Sequence, residues 1–257
     1  MRVARTHHRC ARRSVVVGKP KAEPRASWVD EETFDAKKKR ASLILRRLEK
    51  QYPDTRTALN YTTPFELLVA TVLSAQSTDK MVNIITEKLF QKYRSPEDYL
   101  KAKPGELEQD IKASGFFNQK AKSIRGLSQK LVEDFGGEVP GTMEELLTLP
   151  GVARKTANVV LGNAFGKNFG IAVDTHVHRL SWRFGFSDHD DPNKVEQDLM
   201  KLFSRAKWFK VSHLLIDHGR NVCFARNPNC ADCVVNELCP AARVPAVRKR
   251  AKPSPSA

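Results

Sequence analysis

Nearly every periodic stretch of this chain repeats at the helical interval, and none alternates cleanly enough to make a strand. That restricts the fold class to all-α. Leu43, Leu45 and Leu48 mark a helix from about Ala36 to Tyr52-Pro53. Phe65, Leu68, Val69, Val72 and Leu73 form the next stripe, followed by Met81, Ile84, Ile85 and Leu89. Further stripes run through Ile124, Leu127, Leu131 and Phe135, and through Ala157, Val160, Leu161 and Ala164. Asp174 precedes Val177, Leu180, Ser181 and Phe184, and two more stripes lie over 192–203 and 208–221.

The punctuation agrees with this period. Thr63-Pro64-Phe65-Glu66 and Thr142-Met143-Glu144-Glu145 read as capping boxes, and Asp191-Pro192 as a third helix start. Asp79 is placed to cap the helix after the polar interruption 74–79. A short helix is expected near Pro96 and another through Leu107 and Ile111. Gly136-Gly137 stops the helix that ends at Phe135. A chain of 257 residues can bury one substantial core or two modest ones. No run of ~18 apolar residues is present, so no membrane span is expected, and Val15 to Gly18 is too short for a secretory signal.

The net charge of +15 points to a polyanionic partner, most often nucleic acid. The excess sits at the ends. Residues 1–40 carry 12 Lys/Arg against 5 Asp/Glu, and residues 241–257 carry 5 Lys/Arg and no acid. Residues 1–35, with Pro20 and Pro24 among charges, read as a loosely held basic arm, and 241–257 as a basic tail.

Between two helical stretches lies Leu149-Pro150-Gly151-Val152-Ala153-Arg154-Lys155. A turn of this kind presents backbone N–H groups where a phosphate can sit. Lys155, just inside the second helix, is placed to bind that phosphate or to act as a nucleophile; spacing alone leaves both open. Asp174, before an apolar helical stripe, reads as an N-cap.

Four of the five cysteines fall within 17 residues, as C-x6-C-x2-C-x5-C: Cys223, Cys230, Cys233 and Cys239. Thiolates this close must hold a metal centre or form disulfides, and nothing marks the chain as secreted. Thiolate chemistry does not decide between zinc and an iron–sulfur cluster, although the single C-x2-C pair in an uneven loop suits a cluster better than a zinc ribbon. Cys10 reads as a bystander. Four cysteine ligands leave no open coordination site, which makes such a centre structural or a redox monitor. Within the loop, Arg226 is either a phosphate contact or solvated.

With these features together, the sequence from about 36 to 240 resembles the endonuclease III family of DNA repair glycosylases. Leu149 to Ala157 is similar to its helix–hairpin–helix, Val173-Asp174-Thr175-His176 to its catalytic aspartate segment, the cysteine spacing to its cluster loop, and Ser74 to Asp79 to a further family stretch. The resemblance implies two helical domains with double-stranded DNA in the cleft between them. Residues 57–167 would form a six-helix barrel carrying the hairpin, and 36–56 with 168–240 the domain of a [4Fe–4S] cluster. It implies a monomer that removes oxidised pyrimidines such as thymine glycol and cleaves the strand at the abasic site. Lys155 and Asp174 take the catalytic roles, and Leu149, Gly151 and Ala153 the phosphate grip, with a monovalent cation at the hairpin. The expected location is a bacterial cytoplasm, with a eukaryotic nucleus or organelle as the alternative.

Two positions depart from the family pattern. Ala153 stands where a second glycine is usual, which raises the expectation of a weakened phosphate contact. Phe116-Phe117 stands where a leucine and a tyrosine are expected.

The chemistry explains the residue types. A damaged base must leave the stack before it can be attacked. An apolar side chain can fill the gap and an amide can bond the widowed base; Phe116 and Gln76 are the candidates, against a core aromatic and a surface amide as the plain alternatives. A lysine amine can attack C1′ and form a Schiff base, provided a group such as Asp174 accepts its proton or the site lowers its pKa from roughly 10.4. Asp174 can instead steady a developing oxocarbenium. His176 reads as a structural or DNA-backbone contact. The rivals are a monofunctional glycosylase of the same fold, which lacks this lysine, and a non-catalytic DNA-binding module.

Overall fold

The computed structural model describes residues 24–243. Cys10, most of the basic arm and the tail beyond Arg243 lie outside the described residues. Eleven α-helices and no strand are found among those described: α1 Phe34–Gln51, α2 Pro64–Leu73, α3 Asp79–Lys92, α4 Pro96–Lys101, α5 Glu106–Asp110, α6 Phe117–Phe135, α7 Met143–Leu146, α8 Arg154–Phe165, α9 Thr175–Arg183, α10 Pro192–Leu202 and α11 Trp208–Asn221.

Side-chain caps set many of the boundaries. Thr63 Oγ1 accepts from Glu66 N–H, while the Glu66 carboxylate reaches back one residue further than a capping box requires and accepts from Thr62 N–H at 2.5 Å. Thr142 accepts from Glu145 N–H at the start of α7, and Asp191 from Asn193 N–H at α10. The cap of α3 is Thr78, not Asp79: Thr78 Oγ1 takes Met81 N–H, and Asp79 is the first helical residue. Asp79 is turned elsewhere, accepting from Arg220 at 2.6 Å. Gly136 and Gly166 end α6 and α8 with positive φ.

The stripes converge on two separate cores. One draws on residues from Leu59 to Leu161, with α2 packed on α6 and α8 and α4 on α6. The other joins Ala41, Ile44, Leu45 and Leu48 of α1 to residues from Ile171 to Val235, with α9 against α11. The chain therefore leaves the second core after α1, builds the first core, and returns.

Residues 24–35, expected to be loosely held, are packed against the second core. Arg25 lies 3.9 Å over the Trp182 ring and pairs with Asp188 at 2.7 Å. Glu32 makes a buried pair with Arg40 at 2.7 Å, and Arg40 also donates to the carbonyls of Phe184 and Leu238. Composition missed this because Val29 is the one buried apolar residue of the segment, and the other anchors, Arg25 and Glu32, are charged. Each finds its partner more than a hundred residues away or at the start of α1, so no local apolar stripe announces it.

Candidate active site and cluster loop

The hairpin is built on α6. Pro150 packs over Gly126, where an added Cβ would come within 3.2 Å of the proline ring. Gly151 has φ +79°, and a Cβ there would lie 2.6 Å from Ser123 Cβ. This glycine is thus required twice, by backbone conformation and by space. Leu149 is buried beneath the turn, and Val152 N–H closes it on Leu149 C=O at 3.1 Å. Ala153 is the N-cap of α8 with φ −99° and ψ 169°, an extended conformation open to any residue. The expected handicap of replacing a glycine here does not arise from backbone strain. No side chain caps α8, which leaves its first N–H groups free to meet an anion.

Lys155, exposed in the first turn of α8, and Asp174, at the head of α9, line one cleft between the two cores. The far wall carries Ser212, His213 and Arg220 of α11. Asp174 does cap its helix: Oδ1 accepts from the N–H groups of His176 and Val177, both at 2.8 Å. Its Oδ2 lies 3.1 Å from His176 Nδ1. Burial alone would raise this carboxyl. The His176 and Val177 bonds and the Lys155 charge outweigh it and hold Asp174 below the ordinary carboxylate value. The group stays anionic at neutral pH and is a weak base there.

Several residues that shape the cleft carried no sequence signal. Glu196 of α10, almost fully buried, accepts from Arg154 Nε at 2.7 Å and from Asn158 Nδ2 at 2.9 Å, tying α8 to the second core. Gly170 allows this, since a Cβ there would sit 1.9 Å from Glu196 Oε1. Arg220–Asp79 joins the two cores at the cleft. Such pairs span 38 to 141 residues of sequence and leave no local pattern.

Phe116 and Gln76 lie outside this cleft's lining, on two loops. Phe116 is 68% exposed, so it is not a core aromatic, and its neighbour Phe117 turns inward instead. Both Phe116 and Gln76 adopt positive φ, 48° and 54°. Exposed side chains on a strained, fixed backbone suit a group that enters another molecule.

Cys223, Cys230, Cys233 and Cys239 are free and line a single cavity at the end of α9 and α11. Arg183, buried in α9, donates to Cys223 Sγ at 3.2 Å and to the Phe224 and Ala225 carbonyls, fixing the loop's entry. His218 Nε2 lies 3.4 Å from Cys233 Sγ and its Nδ1 3.2 Å from Tyr52 Oη. Burial keeps this imidazole neutral by pulling it down to about 4, so the Tyr52 hydroxyl can donate to Nδ1 and leave Nε2–H for the sulfur. Burial pushes the Cys233 thiol up to about 11 and Cys239 to about 12. The cavity thus favours thiolates only when a cation compensates them. No three of these side chains close on a single metal ion among the described residues; four thiols spaced around one cavity, with N–H donors at two of the sulfurs, fit a cluster in which each sulfur meets its own iron. Arg226 is exposed on this loop.

Residues 69–205 match the HhH-GPD superfamily of base excision DNA repair proteins, and residues 223–239 match the iron–sulfur binding domain of endonuclease III. The second match begins and ends on Cys223 and Cys239. Endonuclease III of Synechocystis sp. is 52% identical over 208 residues, covering 81% of this chain and 95% of that protein. Two solved structures superpose with a TM-score of 0.77 at 45% identity, over 80% of this chain and 96% of each. One is an endonuclease III–DNA complex without a covalent bond, and the other a trapped covalent intermediate of endonuclease III with DNA.

Proposed function

The chain belongs to the endonuclease III family of base excision DNA repair enzymes, and from that premise we propose that it is a bifunctional glycosylase and lyase acting through Lys155 on oxidised pyrimidines in double-stranded DNA. The observation that carries the assignment of roles is the shared cleft. Lys155 and Asp174, which is anionic at neutral pH, face one space between two cores, at the mouth of an uncapped helix.

In this reading the duplex lies across both cores, and the damaged nucleotide turns into the cleft. The hairpin N–H groups hold a backbone phosphate, with Leu149 and Gly151 shaping the turn and Ala153 at its rim. Hairpin carbonyls would hold a monovalent cation that adds positive charge beside the phosphate. Phe116 fills the vacated stack and Gln76 addresses the widowed base. Lys155 Nζ, as the neutral amine, attacks C1′; the N-glycosidic bond breaks, its electron pair leaves with the base, and the proton shed by the attacking nitrogen goes to the departing base. Asp174 offsets positive charge at the sugar as that bond breaks. Its depressed pKa supports this electrostatic role over that of proton acceptor. The Nζ lone pair then opens the C1′–O4′ bond, O4′ taking up a proton from solvent, and the resulting iminium acidifies C2′. Loss of that proton expels the 3′ phosphate, breaking the strand by β-elimination. His176 helps to hold Asp174.

The two cores support a division into two domains: a six-helix barrel over 57–167, and an iron–sulfur cluster domain over 36–56 and 168–240. Cys223, Cys230, Cys233 and Cys239 would hold a [4Fe–4S] cluster, which would tie to α9 and α11 a loop whose one regular element is the 3-10 turn Asn236–Leu238. Both walls of the cleft come from one chain, which supports a monomer as the catalytic unit. No helix among the described residues is long and apolar enough to cross a membrane. Bacterial relatives support a cytoplasmic location. The test is a duplex with one thymine glycol. Wild type should release the base and leave a 3′ unsaturated aldehyde end. Lys155→Gln should do neither. Base release without strand cleavage by wild type would instead favour a monofunctional enzyme.

A further inference from the structure

Lys120 is a buried lysine with no part in the chemistry at Lys155. It sits one turn into α6 with 4% of its surface exposed. Its ammonium donates to Leu73 C=O at 2.8 Å and to Ser114 C=O at 2.7 Å. Each carbonyl closes a helix. Leu73 is the last residue of α2, and Ser114 ends the 3-10 turn Lys112–Ser114. Helix-end carbonyls lack intrahelical partners and carry the negative end of the dipole, so a cation between two of them is favourably placed. No carboxylate pairs with it among the described residues, and burial lowers its pKa. An ammonium held only by carbonyls is a costly device for joining two chain ends, and a hydrophobic residue would fill the space more cheaply.

The two helix ends that Lys120 joins lead directly into the exposed loops. Three residues beyond Leu73 is Gln76, and two beyond Ser114 is Phe116. They are two of only three non-glycine residues with positive φ among the described residues. The backbone N–H of Lys120 also donates to Phe116 C=O at 3.1 Å. One residue therefore holds both loops by their roots, through its side chain and its main chain. We propose that Lys120 is a positioning residue that fixes the spacing between Gln76 and Phe116, and so enables the protein to open a duplex at the lesion. This rests on the reading of Gln76 and Phe116 as the intruding pair.

The test separates opening the duplex from the chemistry. Lys120→Met keeps most of the stem and removes the ammonium. Excision of thymine glycol from duplex DNA should fall by about tenfold or more, whereas borohydride trapping on a single-stranded abasic oligonucleotide should stay within about twofold. A cycle with the double variant Gln76→Ala/Phe116→Ala decides the route. In that background Lys120→Met should cost little more, because the loops it positions no longer carry the working side chains. Additive losses, or an equal loss on single-stranded DNA, would overturn the proposal. If Gln76→Ala/Phe116→Ala alone changes nothing, the intruding-pair reading fails, and this inference with it. Should Lys120→Met not fold, Lys120→Gln keeps one donor for a single carbonyl and is read by the same cycle.

Discussion

The hairpin offers a paired perturbation whose outcomes should differ in sign. Gly151→Ala places a methyl 2.6 Å from Ser123 Cβ and 2.8 Å from its Oγ, on a backbone with φ +79°. The left-handed conformation costs an L-residue about 1–2 kcal/mol. Relieving the overlap costs a further ~1–3 kcal/mol. A loss of about 2–5 kcal/mol lowers the melting temperature by roughly 4–20 °C for a chain of this size. Because the turn must shift off α6, affinity for a duplex containing a reduced abasic site should also fall, by about tenfold. Adding Ser123→Gly should recover the part due to overlap and leave the part due to φ. Ala153→Gly behaves otherwise. Ala153 is extended and serves as an N-cap, where glycine is the better residue, so stability should rise by about 0.5 kcal/mol and DNA affinity should stay within about twofold. Scanning calorimetry and fluorescence anisotropy read both. If Gly151→Ala matches wild type, or Ala153→Gly tightens binding tenfold, the division of labour drawn for this turn is wrong.

Asp174→Asn keeps a good N-cap, so the melting temperature should move by less than about 3 °C while excision falls by at least about a hundredfold; a fully active variant would reduce Asp174 to its capping role. Burial holds His213 below the ordinary imidazole value, and it stays uncharged at neutral pH. The unfolded chain therefore binds this proton first. The stability His213 contributes is complete above about pH 6.5 and drains as pH falls toward the lower folded value. His213→Leu should flatten denaturation midpoints measured across that window, and an unchanged slope would contradict the assignment. Cys239→Ser should abolish the broad absorbance near ~400 nm expected of thiolate-bound iron. A colourless wild type carrying stoichiometric zinc would remove the cluster.

Most helices were legible because both signals that mark them are local. Apolar stripes gave the interiors, and Thr63, Thr142, Asp174 and Asp191 gave the starts. Where two adjacent polar residues competed, as at Thr78 and Asp79, the sequence could not rank them, since Asp79 is drawn away by an arginine 141 residues distant. Separation in sequence also hid Glu196, whose partners lie 42 and 38 residues away, and the strap formed by 24–35. The candidate site was legible as motifs: the turn, the aspartate before its stripe, and the cysteine spacing. Their convergence was not, because Lys155 and Asp174 meet only across the gap between two cores. Ala153 shows the converse limit. Residue type alone suggests strain from alanine there, yet the backbone at that position is one any residue adopts.

The central claim is that Lys155 is the nucleophile. The direct measurement is reduction with borohydride during reaction on a duplex carrying a thymine glycol, with proteolysis and mass mapping of the DNA-linked peptide afterwards. A single adduct is expected, on the peptide that contains Lys155, and it should be lost in Lys155→Gln. An adduct on another lysine, or a Lys155→Gln variant trapped as well as wild type, would contradict that claim.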